Sequence, residues 1–136
     1  MYTYKTTVKL HDTDAAGVLF FANYFRLAHE AYETFMASIG YDFYTVIHEA
    51  DFLVLIVHAE ADFKTPLHVG DRVTIEMQTS RLGRSSFTLV YNLKNEAGEV
   101  VATASSVHAV IKKETVKPIS MPRTLREQLE QLHPRE

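Results

Sequence analysis

A chain of 136 residues, 46% of them hydrophobic, has the size of one domain, and such a domain buries about two-thirds of its unfolded surface without staples. It contains no cysteine, which excludes disulfides, zinc–thiolate sites and a cysteine nucleophile. The formal net charge of -3 gives no basic footprint for nucleic acid, and no apolar run approaches the ~18 residues of a membrane helix.

The opening residues alternate. Tyr2, Tyr4, Val8 and Leu10 alternate with Thr3, Lys5, Thr7 and Lys9, which predicts a strand with one buried face. This segment lacks the apolar stretch of a secretory signal, so a cytoplasmic protein without a membrane span is expected. The alternation breaks at the polar turn HDTDAAG, ending in Gly17. From Asn23 to Ile39 the period becomes helical: Tyr24, Leu27, Ala28, Ala31, Tyr32, Phe35 and Ile39 make one stripe. Asn23 is read as the N-cap and Gly40 as the stop. At 1.5 Å per residue this helix is ~25 Å long, about the width of five strands.

Phe43 to Ala50 reads as a short helix or an irregular link. Phe52 to Phe63 is rich in branched and aromatic residues and reads as a strand. Lys64 to Asp71, with Pro66 and Gly70, is a connection. Two further strands alternate through Val73, Ile75 and Met77 and through Phe87, Leu89, Tyr91 and Leu93. Asn95 to Gly98 is a hairpin turn, and Val100 to Ile111 is the last strand. The small residues Ala102 to Ser106 predict close packing there. The tail from Pro122 to Leu132 reads as a short polar helix. One long helix against a mainly antiparallel five-stranded sheet is an α+β domain, here a single one over residues 1–136. Its edge strands and uncovered face predict a homo-oligomer, a dimer or a dimer of dimers.

The glycines form no nucleotide fingerprint, and no G-x-S-x-G elbow occurs. The chemistry concentrates in His11-Asp12-Thr13-Asp14, two carboxylates beside the start of a buried helix. That end carries partial positive charge and free N–H groups. A carboxylate there suits a nucleophile or general base, and the N–H groups suit a developing oxyanion. The residues alone leave helix capping, acyl-transfer catalysis and a metal site from His11, Asp12 and His29 open. His29 and Glu33 share an i, i+4 face, but no H-E-x-x-H set accompanies them.

The stretch DTDAAGVLFFANYFRLAHEAYETF, Asp12 to Phe35, resembles the helix-entry signature of the 4-hydroxybenzoyl-CoA thioesterase family of hotdog proteins. Asp12, Asp14, Gly17, Val18, Asn23 and Tyr24 match D-x-D-x-x-G-[IV]-V-[YW]-[YFH]-x-N-Y. Leu19 replaces the usual valine, and Phe21 stands where relatives often carry Tyr or His. The resemblance implies a hotdog fold, in which a five-stranded sheet wraps one central helix, and an acyl-CoA thioesterase that needs no cofactor and no metal. It implies Asp14 as the catalytic carboxylate, Phe21 as the backbone N–H donor to the thioester carbonyl, and Gly17 as the turn residue. Phe20, Asn23, Tyr24, Phe52 and Leu53 are the expected substrate contacts. Arg84, with Arg81 beside it, is expected to meet the coenzyme A phosphates; Gly83 and Ser85 occupy two positions that are basic in the family loop. Glu30, a helix carboxylate, is read as supporting structure.

HEAYE (His29 to Glu33) and DFLVLIVHAEADF (Asp51 to Phe63) are similar to segments of cyanobacterial and plastid 1,4-dihydroxy-2-naphthoyl-CoA thioesterases. The expected substrate is therefore an aromatic acyl-CoA of that kind. The alternatives are a broad short- or medium-chain acyl-CoA thioesterase, a hotdog hydratase (whose G-D-x-N-P-x-H pattern is absent) and a non-catalytic acyl-CoA-binding protein.

Overall fold

The computed structural model describes residues 1–134. In chain order it contains β1 (Tyr2–Thr7), a 3-10 turn (Leu10–Asp12), α1 (Ala22–Ser38), α2 (Phe43–Glu49), β2 (Phe52–Phe63), β3 (Arg72–Leu82), β4 (Ser86–Lys94), β5 (Val100–Lys112) and α3 (Arg123–Gln131). The strands form one sheet in the order β1-β3-β4-β5-β2, antiparallel at every junction.

The period-two pattern puts Val73, Ile75 and Met77 of β3 and Phe87, Leu89 and Leu93 of β4 on the buried face. They pack with the stripe of α1, in which Tyr24, Leu27, Ala31 and Phe35 are buried. Each fully buried Val, Leu, Ile, Phe or Met among them contributes ~1.5–3 kcal/mol through burial. Both edge strands reach the helix: Tyr2 meets Phe35 with ring centroids 5.4 Å apart, and Phe63 meets Tyr24 at 4.7 Å. The sheet therefore curls around α1. No helix among the described residues is long and apolar enough to cross a membrane.

One element differs from its expected form and another gains a buried stripe. Helix α1 begins at Ala22, so Asn23 lies inside its first turn and Phe21 takes the cap position. Helix α3 is amphipathic: Leu125, Leu129 and Leu132 are buried, and the Thr79 hydroxyl donates to the Leu129 carbonyl at 2.8 Å. The ambiguous link resolves as α2 because Asp42 caps it, accepting from Thr45 N–H at 3.1 Å.

Strand β2 forms an exposed edge. Leu55, Ile56 and Val57 are 42%, 45% and 62% exposed, and the pairing with β5 shifts register between Ile56 and His58. An edge this long and apolar is a site for strand pairing.

A polar chain runs through the core. Tyr91 OH lies 2.8 Å from Ser106 Oγ, which lies 2.7 Å from His108 Nε2. The His108 ring stacks on Phe87 at 4.7 Å and contacts Tyr32 at 4.3 Å. Burial, with a smaller contribution from nearby His29, pushes the His108 imidazole down to about 3. The folded protein therefore holds this ring neutral, while the unfolded chain protonates it below pH ~6.5. Stability from this group is complete above pH ~6.5 and is lost as pH falls towards the folded value. Between pH ~6.5 and ~5, the unfolding free energy of wild type should fall more steeply than that of His108→Asn, by up to about 1.4 kcal/mol per pH unit. Denaturant titrations at several pH values check this; parallel curves for the two proteins would contradict it.

Candidate active site

The path from β1 to α1 is held at nearly every step. The Asp12 carboxylate, 1% exposed, contacts the Arg26 guanidinium through Oδ1 and accepts the Lys9 N–H on Oδ2 at 2.9 Å. Arg26 also pairs with Glu30, which accepts the Tyr4 hydroxyl at 3.4 Å. The Asp12 carbonyl accepts two further bonds, from Phe20 N–H at 3.0 Å and Asn23 Nδ2 at 2.7 Å. Strand, loop and helix thus meet on one buried residue.

Asp14, two residues further on, is exposed. Its carbonyl accepts the Gly17 N–H at 3.0 Å, closing a tight turn in which Gly17 has φ of 75°, a conformation that favours glycine. Its carboxylate Oδ1 accepts N–H bonds from Ala16 at 2.8 Å and Val18 at 3.4 Å. Oδ2 has no partner among the described residues. The loop is braced from outside, since Leu19 N–H donates to the Leu67 carbonyl at 2.7 Å and Val69 N–H to the Gly17 carbonyl at 3.1 Å.

Helix α1 starts directly after this loop. The N–H groups of Phe21 and Ala22 have no acceptor among the described residues, as the geometry of a helix start requires when no side chain caps it. They give that end its partial positive charge. A ligand carbonyl is the chemical group that such donors fit, with the carboxylate of Asp14 on the preceding turn.

The other expected residues fall into two groups. Phe20 and Phe21 are exposed, with ring centroids 4.8 Å apart, and Phe21 lies 6.3 Å from Phe63. Tyr24 is buried against Phe63, and Asn23 is engaged by the Asp12 carbonyl, so both shape the helix entry from within. Phe52, Leu53, Arg81 and Arg84 lie elsewhere. Phe52 is buried against Tyr41 at the far end of β2, ~36 Å of strand away from Phe63. Leu53 is half-buried beside it. The two arginines sit at the β3–β4 hairpin, also at the far end: Phe87 pairs with His108, whereas Phe63 pairs with Ala102. Arg84 Nε donates to Ser120 Oγ at 2.8 Å. One chain does not bring these four residues to Asp14.

Arg26 escaped the sequence reading, because its partner Asp12 is fourteen residues away and no local pattern links them. It supplies the positive charge beside Asp12 where the metal reading required an ion. His29 lies 3.8 Å from Glu33 on the helix surface.

Fold and site together define a hotdog-fold protein with an exposed carboxylate on the loop that leads into its central helix. The model of the thioesterase-like superfamily matches residues 8–129, and the chain belongs to that superfamily. Among similar proteins is the 1,4-dihydroxy-2-naphthoyl-CoA hydrolase of Synechococcus elongatus, 35% identical over 95% of each chain. That of Thermosynechococcus vestitus is 43% identical over 77% of this chain and 72% of its own. The crystal structure of a 1,4-dihydroxy-2-naphthoyl-CoA thioesterase from Synechocystis superposes with a TM-score of 0.91 at 31% identity, covering 98% of both chains. The chain is a hotdog thioesterase.

Arg26→Ala should leave the buried Asp12 carboxylate without its cation. The expected loss of stability is about 3 kcal/mol, the low end for a broken buried pair because Arg26 is partly exposed. Urea unfolding measures it, and a variant as stable as wild type would refute the clamp.

Proposed function

We propose that this thioesterase hydrolyses 1,4-dihydroxy-2-naphthoyl-CoA to the free acid and coenzyme A, as a cytoplasmic homo-oligomer in which Asp14 is the catalytic carboxylate. The observation that carries the chemistry is the exposed Asp14 carboxylate, locked in its turn with one oxygen unpaired, directly before a helix whose first N–H groups are unpaired. The choice of acyl group rests on the relatives, several of which bear that name at 33% to 43% identity.

The thioester carbonyl accepts the Phe21 N–H. This draws electron density towards oxygen and stabilises the charge that develops there; one such donor contributes about 3 kcal/mol to the transition state. Asp14 then acts on the carbonyl carbon, as nucleophile or through a water that it deprotonates. In both routes a new C–O bond forms, the C–S bond breaks, and the coenzyme A thiolate leaves. In the nucleophilic route water then cleaves the acyl-enzyme anhydride. Water ultimately supplies the oxygen gained by the acid.

The exposed β2 edge supports the oligomer. If two copies pair antiparallel about the middle of β2, the start of one strand comes beside the Phe63 end of the other. That arrangement carries the Phe52–Leu53 region and the arginine-bearing hairpin of one copy towards the Asp14 loop of its partner. The far-end location of these four residues within a single chain supports this assembly.

Asp14→Asn keeps the shape of the turn and removes the reactive charge. Thiol release from 1,4-dihydroxy-2-naphthoyl-CoA should fall at least about a hundredfold with the far-ultraviolet dichroism unchanged, and full activity would refute the assignment. Val57→Lys places a charge on the exposed edge. Light scattering coupled to size exclusion should show wild type as a dimer or tetramer and the variant shifted towards monomer with reduced hydrolysis. A monomeric, fully active wild type would contradict the assembly.

A further inference from the structure

A cavity of about 310 Å³ lies between α1 and the β2–β5–β4 side of the sheet. This is within the ~300–1,000 Å³ typical of small-molecule sites. Phe25 and Ala28 of α1, Ile56 and Ala59 of β2 and Ala104 of β5 give it an apolar lining. Phe25 is one helical turn beyond Phe21, ~6 Å along the axis, so one wall of the cavity lies a turn away from the proposed carbonyl site. The small side chains of Ala104 and Ser106 on β5 leave the room that larger residues would fill.

Two polar residues in this lining, Tyr91 and Ser106, begin the hydrogen-bonded chain that ends on His108. The chain is an odd device for stability alone. His108 Nδ1 has no hydrogen-bond partner among the described residues, and neither has the adjacent Tyr32 hydroxyl. An unsatisfied buried polar group is costly, and an apolar trio would fill the same volume.

The chain has a useful property. A neutral imidazole carries its proton on either nitrogen. With the proton on Nδ1, Nε2 accepts from Ser106, Ser106 accepts from Tyr91, and the Tyr91 oxygen retains lone-pair capacity for a ligand donor. With the proton on Nε2, His108 donates to Ser106, Ser106 donates to Tyr91, and the Tyr91 O–H is released to a ligand acceptor. The cavity wall can thus meet a donor or an acceptor without any change of charge. The ionisable side chains of the lining besides Tyr91 are Arg26, already paired with Asp12 and Glu30, and His29, whose Nδ1 lies 3.8 Å from Glu33, so neither is left to meet a charged ligand and the cavity favours a neutral polar substituent.

We propose that the Tyr91–Ser106–His108 chain is a specificity device for the acyl group: it hydrogen-bonds a hydroxyl carried by an aromatic ring seated in the cavity beneath α1. The proposal rests on the Asp14 thioesterase reading and adds the residues that recognise the acyl ring.

The test compares kcat/KM for 1,4-dihydroxy-2-naphthoyl-CoA and 2-naphthoyl-CoA in wild type, Tyr91→Phe and Ser106→Ala, with Asp14→Asn as the blank. Ring hydroxyls also change the intrinsic reactivity of the thioester. The deciding quantity is therefore the change in the substrate ratio between wild type and variant, in which that reactivity cancels. The ratio should fall about tenfold in Tyr91→Phe and in the same direction in Ser106→Ala, as expected for one lost hydrogen bond. Naphthoyl hydrolysis with an unchanged ratio in both variants would overturn this assignment and leave the catalytic reading intact. Asp14-dependent cleavage of aliphatic thioesters alone, with neither naphthoyl ester cleaved, would overturn the aromatic substrate and this assignment together.

Discussion

Taking the Asp12 carboxylate out of water costs several kcal/mol unless a cation and hydrogen bonds meet it, and Arg26 with the Lys9 N–H does so. The consequences spread outwards from that pair. The Asp12 backbone carbonyl ties down Phe20 and Asn23, which fixes where α1 begins. Glu30 and Tyr4 extend the same network to the first strand. With strand, loop and helix fixed to one another, Asp14 emerges into solvent from a turn whose direction the fold has already set. Two aspartates two residues apart therefore do opposite work: one is buried and neutralised, the other is exposed with an oxygen unpaired.

Much of the architecture was legible in the sequence, because it rests on periodicity. Strand β2 spans Phe52 to Phe63 as its composition indicates, and the stripe from Tyr24 to Phe35 is buried as its spacing requires. The tail is the short polar helix its composition indicates, but the burial of Leu125, Leu129 and Leu132 was not legible among their many polar neighbours. The capping reading of Asn23 failed for a different reason. Asn23 lies two residues past the cap position, and its Nδ2 donates to the Asp12 carbonyl, a tertiary contact that local propensity does not register.

The site was only partly legible. The D-x-D pattern singled out Asp14 as the candidate carboxylate but not the burial of Asp12, which depends on Arg26 approaching from the helix. The Tyr91–Ser106–His108 chain was invisible for the same reason: its members come from two strands and are joined by sheet register rather than by spacing in one segment. Phe52, Leu53, Arg81 and Arg84 show the converse. Their residue types suit a ligand, yet the sheet carries them to the end away from Asp14, which register and not residue type decides.

In the proposed mechanism the unpaired amides at the start of α1 polarise a thioester carbonyl held beside Asp14. The most direct measurement is the infrared carbonyl stretch of an isotope-labelled 1,4-dihydroxy-2-naphthoyl thioester bound at saturation to the Asp14→Asn variant, which holds the substrate without turning it over. The bound band should lie clearly below its position in water, since aligned helix N–H donors exceed the pull of solvent. A bound band at or above the aqueous position would mean that the carbonyl does not meet those amides, and the proposed mechanism would be wrong.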